Sequence, residues 1–309
     1  MKKLFFFAAA ALLMATGSCD KIENPYPQVQ SLELDTTLYP GLWSDYLENE
    51  WPEFNANTNT NRNVLIEDFT GHTCVFCPAA ADLAHSLHEA NPSRVFTASI
   101  HAGPDGIGDF QALYPPTYPT DFTNPQGVEI GIWFGINDEG FPGNPRGPVN
   151  RVTQGGSIFQ SPASWTSMTN SQLSGNNLRV NIQSKLNYYP STKGAYLHTE
   201  VEKLTTLGDL GVVVYLIEDS LVGDQKMSDN SHNANYIHRD IMRGCIDGRA
   251  FGRTLKPEHF SSNKAYLDYS FVVPNQLNGT HNPGNMHLLI YVYDKLTLEI
   301  LQVIKQKIQ

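Results

Sequence analysis

Positive charge is scarce in this chain. Its 309 residues carry 21 Lys and Arg against 31 Asp and Glu, a formal charge of −10, and no stretch gathers the cations into a cluster. A surface of that sign repels phosphate backbones and anionic headgroups, which excludes nucleic-acid binding and electrostatic adhesion to an anionic membrane. Long apolar runs are equally rare. Leu4 to Ala15 is too short to span a bilayer comfortably, and no other segment is apolar enough to be a transmembrane helix. There is no nucleophile-elbow serine, no phosphate-binding glycine loop, no carboxylate pair of glycosidase character and no internal repeat. What is present is enough to fold. Hydrophobic residues at 40% and aromatics at 11% exclude wholesale disorder, and the length allows two compact domains.

The N-terminus reads as an export signal. Met1-Lys-Lys is a basic start and Leu4 to Ala15 an apolar segment of signal-peptide length. Thr16-Gly17-Ser18-Cys19 resembles the lipobox of bacterial lipoproteins, although Thr16 stands where Leu is usual. Cys19 is therefore the expected lipidation site, a membrane anchor that needs no transmembrane helix. Ordinary secretion with cleavage after Ala15 is the alternative. Either route delivers the remaining cysteines to an oxidising compartment.

Three cysteines remain. Cys74 and Cys77 form a natural pair three positions apart, and Cys245 is left over, read as a buried thiol packing as a small hydrophobe. The pair sits in Val64-Leu-Ile-Glu-Asp-Phe-Thr-Gly-His-Thr-Cys-Val-Phe-Cys-Pro78. A short apolar strand leads into a polar turn, then the Cys-x-x-Cys, then a helical pattern opened by Pro78. Unpaired N–H groups at a helix mouth favour a thiolate on the first cysteine. That order of elements points to dithiol redox chemistry.

Along the rest of the chain, Asp20 to Arg62 reads as a tether. Trp43, Tyr46 and Trp51 form one aromatic patch able to dock, and an Asn-alternating stretch, residues 55–63, reads as a polar linker. Strand and helix then alternate. Ala79 to Asn91 forms a helix, Val95 to His101 a strand, and residues 103–124 a Pro- and Gly-rich loop able to overhang a site. Gly127 to Gly135 fits helix or strand, Val149 to Val152 a short strand, and Ser161-Pro162 opens a last helix ending near Leu173. Beyond Gly175 the pattern becomes strands without helices: 178–182, 195–201, 211–218, 266–273, 287–294 and 298–304. This predicts an antiparallel β-sandwich.

The strand–helix segment resembles the thioredoxin superfamily. Asp68-Phe69 stands at the spacing before Cys74 that those proteins show, and Gly143-Asn144-Pro145 fits their cis-proline segment, with Pro148 and Pro142 as alternatives. The resemblance implies that Cys74 attacks, Cys77 resolves, Asp68 accepts the Cys77 proton and Pro145 faces the sulfurs. Thr73, Val75-Phe76 and Pro78 depart from the superfamily's usual residues and leave the redox direction open. His72 and His101 could join the cysteines on zinc or copper. As lone histidines beside a Cys-x-x-Cys they read first as electrostatic neighbours, His72 supporting the Cys74 thiolate when protonated, so no metal or cofactor is expected.

A narrower resemblance covers most of the mature chain. Leu65-Ile-Glu-Asp-Phe-Thr-Gly71 with Cys74 and Cys77-Pro78, then Pro145-Arg-Gly-Pro-Val-Asn-Arg151, then Asn235-Tyr-Ile-His-Arg239, resemble the twenty-eight-kilodalton outer-membrane-protein family of lipoproteins. That family implies an outer-membrane address and a thioredoxin-like domain before a β-rich one. The expected layout is a leader over 1–18, a lipid-anchored tether over 19–62, a thioredoxin-like α/β domain over 63–175 and an all-β, Ig-like antiparallel sandwich over 176–309. The expected function is a lipid-anchored envelope thiol–disulfide oxidoreductase acting on exported protein thiols or disulfides. The alternatives are an adhesion lipoprotein that binds a surface ligand and keeps the disulfide as a staple, or a copper chaperone.

Overall fold

The computed structural model describes residues 34–138 and 140–309; the leader and the expected lipidation site Cys19 lie outside them. In chain order the helices and strands are α1 Trp43–Asn49, β1 Val64–Thr70, α2 Cys77–Ala90, β2 Val95–His101, α3 Pro125–Asn137, α4 Pro162–Gly175, β3 Val180–Tyr189, β4 Gly194–Lys203, β5 Leu210–Glu218, β6 Leu221–Lys226, β7 His232–His238, β8 Ile241–Cys245, β9 Arg253–Leu255, β10 Lys264–Val272, β11 Met286–Asp294 and β12 Ile300–Lys307. The ambiguous stretch around Gly127 to Gly135 is helical. Pro125 starts it and the Asn124 side chain accepts from the Gly127 N–H, a capped entry that settles helix over strand.

The architecture is mixed helix and sheet, mostly β, in several sheets. A seven-stranded sheet runs β1-β2-β8-β5-β11-β12, with β9 paired to β5; a second runs β10-β4-β3; β6 and β7 pair only with each other. β1 and β2 are parallel from Val64↔Val95 to Thr70↔His101. On the other side of β1 the chain returns antiparallel through the bridges Phe69↔Arg146 and Ile66↔Val149, and Gly147↔Gln160 adds one more. The short strand expected at Val149 to Val152 is thus a row of isolated bridges along residues 146–149.

The expected boundary at residues 175/176 does not separate two sheet systems. β8, whose Ile241 pairs with Ser99, joins β2 to β5, so strands from both sides of that boundary share one sheet. The expected sandwich is present in part, because the second sheet packs on this one. β5 and β11 show why. Val212, Val214 and Leu216 with Leu288, Ile290 and Val292 face β3, β4 and β10. The alternate residues Val213, Tyr215 and Ile217 with Leu289, Tyr291 and Tyr293 face Leu65, Phe69 and α3. Strands buried on both faces read as unbroken apolar runs. Val64 and Ile66 face the opposite way, onto Ala80 and Ala84 of α2 and Trp165 of α4.

The segment expected to be a tether is packed down from Leu34 onward. Tyr46 is fully buried, its hydroxyl 2.6 Å from His198 Nε2 and its ring stacked on Trp43 at 4.7 Å. The Asn-alternating stretch is an ordered strap across β3 and β12. Asn57 Nδ2 donates to Ile182 O, Asn59 exchanges bonds with Asn181, and Asn63 Nδ2 donates to Val303 O. Alternate residues of an extended chain point to one side. Here that side holds amides that pair with backbone and side-chain groups of the two strands instead of burying carbon.

One ion pair ties the halves together. Glu67 of β1 and Arg151 have side chains at 0% exposure and meet through two bonds of 2.7 Å, from Nε to Oε2 and from Nη2 to Oε1. Tyr215 of β5 donates to Glu67 at 2.9 Å, Tyr291 of β11 donates to Tyr215, and Arg151 Nη2 donates to Tyr291. Phe134 of α3 lies under the guanidinium at 5.2 Å. Burial opposes the charge on Arg151, and the facing carboxylate overcomes that and holds it protonated. Asn150 and Arg151 adopt left-handed backbone conformations, φ 49° and 51°, uncommon for residues with a side chain. Removing one partner leaves a buried charge uncompensated. Glu67→Gln is therefore expected to cost about 3–5 kcal/mol in urea unfolding. Adding Arg151→Met should recover part of the loss, and a double variant no better than the single one would refute the coupling.

Candidate active site

β1 delivers the site. After Thr70 the chain turns at Gly71, where a Cβ would lie 2.4 Å from the Phe110 carbonyl oxygen, so the loop carrying Phe110 can close over the turn only because residue 71 has no side chain. Cys74 N–H donates to Gly71 O and Cys77 N–H to Cys74 O. α2 begins at Cys77 itself, with Pro78 in its first turn, so Cys74 sits in the turn entering the helix. The two cysteines form a disulfide with Cα atoms 5.4 Å apart. Each is 1% exposed, while Phe76 between them is 70% exposed.

Asp68 lies on the β1 face that α2 covers, two residues beyond Ile66 and opposite Ser99. Its carboxylate is buried and neither oxygen has a partner. Burial alone raises its pKa to about 7. The Asn144–Pro145 bond is cis, and Arg146 pairs with Phe69, which seats Pro145 beside the C-terminal end of β1. Gln111 fastens the position, donating to Thr70 O at 2.7 Å and to Asn144 Oδ1 at 3.2 Å. Asp68, Cys74, Cys77 and Pro145 thus gather around one strand end.

The histidines do not act as expected. His72 is buried and burial lowers its pKa, so it is neutral near pH 7 and lends no positive charge to Cys74. His101 is also buried and pushed well below the ordinary value, first by burial and then by the neighbouring His238 and His72. His238, lowered to about 4 by burial, packs with tilted rings against Phe122 at 4.3 Å and His101 at 5.8 Å. Among the described residues no group of three or more His, Cys, Asp or Glu is placed to hold a metal ion. Cys245 is a free thiol in the core, its pKa raised by burial.

The β6–β7 hairpin, absent from the predicted strands, covers the disulfide. Lys226 N–H donates to His72 O at 2.8 Å and Gln225 Nε2 to Cys74 O at 3.3 Å. Behind β7 lies a cavity of ≈ 250 Å³ whose walls include Cys77, Asp82, His101, Tyr236 and His238. On the other side of Lys226, Thr73, Phe110, Tyr114 and Tyr118 line an open groove. The only sequence signal for the hairpin is Asn235-Tyr-Ile-His-Arg239. Its apolar content is too low to mark a strand, because most of β7 faces water.

The Asp68 carboxyl titrates near pH 7 in the fold against 3.8 in its reference state. Between those values the folded chain holds a proton that the unfolded chain releases. The stability this confers is complete below the lower value and is lost as pH rises through 7. Asp68→Asn removes the titration. The variant should gain on the parent from pH 4 upward and level off above pH 7, at no more than about 4 kcal/mol. Urea unfolding across that range measures it, and a difference independent of pH would mean that the carboxylate is hydrated or paired.

Among the described residues no helix is long and apolar enough to cross a membrane. The chain resembles the solved HBP35 of Porphyromonas gingivalis with a TM-score of 0.60 at 13% identity, over 81% of this chain and 76% of that one; at that identity the likeness is one of fold. A domain of the outer membrane lipoprotein Omp28 from the same organism matches at 23% identity over 43% of this chain and 89% of its own, with a TM-score of 0.31. No curated protein matches. The model of the Outer membrane protein Omp28 family matches residues 137–309, more than half the chain and including Arg151, the β6–β7 hairpin and both central strands β5 and β11. By that match the chain belongs to the Omp28 family, and its place is the outer membrane.

Proposed function

We propose that the protein is a lipid-anchored thiol–disulfide oxidoreductase of the outer membrane, with a thioredoxin-like site at the end of β1 and Cys19 as the anchored residue. The observation that carries this reading is Asp68. A carboxylate buried without a partner and titrating near pH 7 costs the fold stability and gains no hydrogen bond in return. Its use is as a proton acceptor on the face where Cys77 opens α2. Parallel β1 and β2, α2 after the Cys-x-x-Cys, a cis-Pro145 and the antiparallel return at 146–149 support the thioredoxin-like assignment. The second sheet packed on β5 and β11 supports a sandwich that positions the partner.

In the reduced protein the Cys74 thiolate attacks one sulfur of a substrate disulfide. That bond breaks, and the substrate's other sulfur leaves and takes up a proton. Asp68 takes the Cys77 proton, and the Cys77 sulfur attacks Cys74. The mixed disulfide breaks and the second substrate thiol departs with a proton. The substrate gains two electrons and the chain ends as the 74–77 disulfide, which an external dithiol resets. The reverse sequence oxidises a substrate dithiol.

A second reading is favoured by one observation, the 1% exposure of both cysteines: a binding or adhesion lipoprotein in which the disulfide is a staple. Insulin reduction separates the two. Turnover above the dithiothreitol background should vanish in Cys74→Ser, accumulate a mixed disulfide in Cys77→Ala, and fall about a hundredfold in Asp68→Asn at pH 7. A reduction potential below about −300 mV together with no turnover would assign the staple. For the anchor, mass spectrometry should find acyl chains on the parent and none on Cys19→Ala; lipid persisting on the variant refutes the assignment.

A further inference from the structure

The disulfide is closed off by a part of the chain that belongs to neither main sheet. β6 and β7 pair only with each other, and their connecting turn, residues 227–231, is largely exposed. The hairpin is bounded by two left-handed residues, Ser220 before it at φ 58° and Asp240 after it at φ 47°. At that base Leu221, Phe122 and Ile241 pack together, and Asp240 is fixed by Thr97 and by its own N–H to Asp219. Beyond the base the hold weakens. His238 packs on Phe122 and His232 on Tyr118, but the ≈ 250 Å³ cavity lies between β7 and Cys77, Ser99 and His101, so part of the underside faces a void and gains less dispersion energy. Near the far end two hydrogen bonds fasten it to the redox turn, Lys226 N–H to His72 O and Gln225 Nε2 to Cys74 O.

We propose that the hairpin is an intramolecular stand-in for the substrate, pivoting at Ser220 and Asp240, and that the occupant which replaces it is an extended polypeptide segment of the redox partner. The chemistry of the displaced contact names that partner. His72 O takes a main-chain N–H from an extended strand, a bond that any polypeptide backbone can supply and that a dithiol without amide groups, such as dithiothreitol, cannot. A partner strand crossing at Gln225–Lys226 meets His72 and Cys74 directly, with the aromatic groove of Phe110, Tyr114 and Tyr118 alongside. Opening confined to one weakly packed element is far cheaper than unfolding the sheets. The inference rests on Cys74–Cys77 being a reacting disulfide.

The test follows two-electron reduction of the 74–77 disulfide by dithiothreitol, itself oxidised to its cyclic disulfide, in the full-length chain, with thiols trapped by iodoacetamide. Lys226→Pro removes the backbone donor, and Gln225→Ala removes the side-chain donor without altering the backbone. Each should raise the reduction rate, by about tenfold for Lys226→Pro, while Ser228→Ala in the turn leaves it unchanged. Below the unfolding transition, urea should accelerate reduction with a slope well under that of global unfolding. Unchanged rates in both variants, or a slope equal to the global one, overturn the proposal. In the mixed disulfide of Cys77→Ala with insulin, the amides of 221–238 should lose hydrogen-exchange protection while β5 and β11 keep theirs; a hairpin still protected in that complex also overturns it. Faster reduction without insulin turnover removes the catalytic reading and leaves the lid, whereas turnover with unchanged reduction rates does the reverse.

Discussion

Two carboxylates stand side by side on β1, equally buried and treated in opposite ways. Glu67 points into the core shared with β5 and β11 and receives Arg151 through a two-point contact backed by Tyr215 and Tyr291. Desolvation makes that pairing obligatory rather than generous, since either charge alone at such depth would cost several kcal/mol. To deliver Arg151 the chain must pass along β1 with two residues in left-handed conformations, and Asn150 is locked there by bonds to Leu65, Asn63 and Ile300. The path of residues 146–151, and with it the seat of Pro145, follows from satisfying one buried charge. Asp68 points the other way and receives nothing. Because the two neighbours share depth and strand, burial does not explain the missing partner. The fold supplies an arginine where it needs structure and withholds one where a titrating group is left.

The same pair explains why no boundary divides the sheets. Glu67 and Arg151 come from before residue 175, and Tyr215 and Tyr291 from after it. A cut there would sever one hydrogen-bonded network and expose Leu65 and Phe69 on one side and Val213 and Leu289 on the other. The strap 55–63 adds a second tie, from β3 to β12. Segments that differ in character along the sequence are thus obliged to fold against each other.

How much of this was legible depends on where the energy lies. β1, β2, β4, β5, β10 and β11 were visible because carbon burial drives them, and it leaves runs such as Val212-Val-Val-Tyr-Leu-Ile217. The cysteine pair, Asp68 and Gly143-Asn144-Pro145 were visible through register alone. β6, β7 and β9 are short and largely polar, and β8, though mostly apolar and buried inside the sheet, is only five residues long and broken by Arg243 and Gly244. The Asn alternation did carry a period of two, the strand signal, but in amides, so it read as a linker. Glu67 and Arg151 are 84 residues apart, and nothing local links them. His72 misled for a related reason: next to a cysteine in sequence it suggests a cation, yet it is buried, and burial decides its charge.

In the oxidoreductase we propose, a closed site and a proton-accepting carboxylate are parts of one arrangement. Burial is the sole cause of the high Asp68 pKa, and Tyr236 of β7 is close enough to feel the Asp68 and Asp82 charges once its own burial is counted. The hairpin therefore forms part of the buried surroundings that raise the Asp68 pKa. Lifting β7 admits water on that side, which lowers the pKa and favours loss of the proton. By linkage, anything that deprotonates Asp68 favours the lifted hairpin to the same extent. In the proposed cycle, the lid-down carboxyl keeps its proton in about half of the molecules at pH 7, beside an oxidised pair that has no use for a base. With the lid up, the proposed cycle has a partner sulfur approach while Asp68, its pKa lowered, gives up its proton and becomes able to take the one from Cys77. On that reading access and acid–base state are set by a single displacement, that of a loosely seated hairpin in front of an unpaired carboxylate.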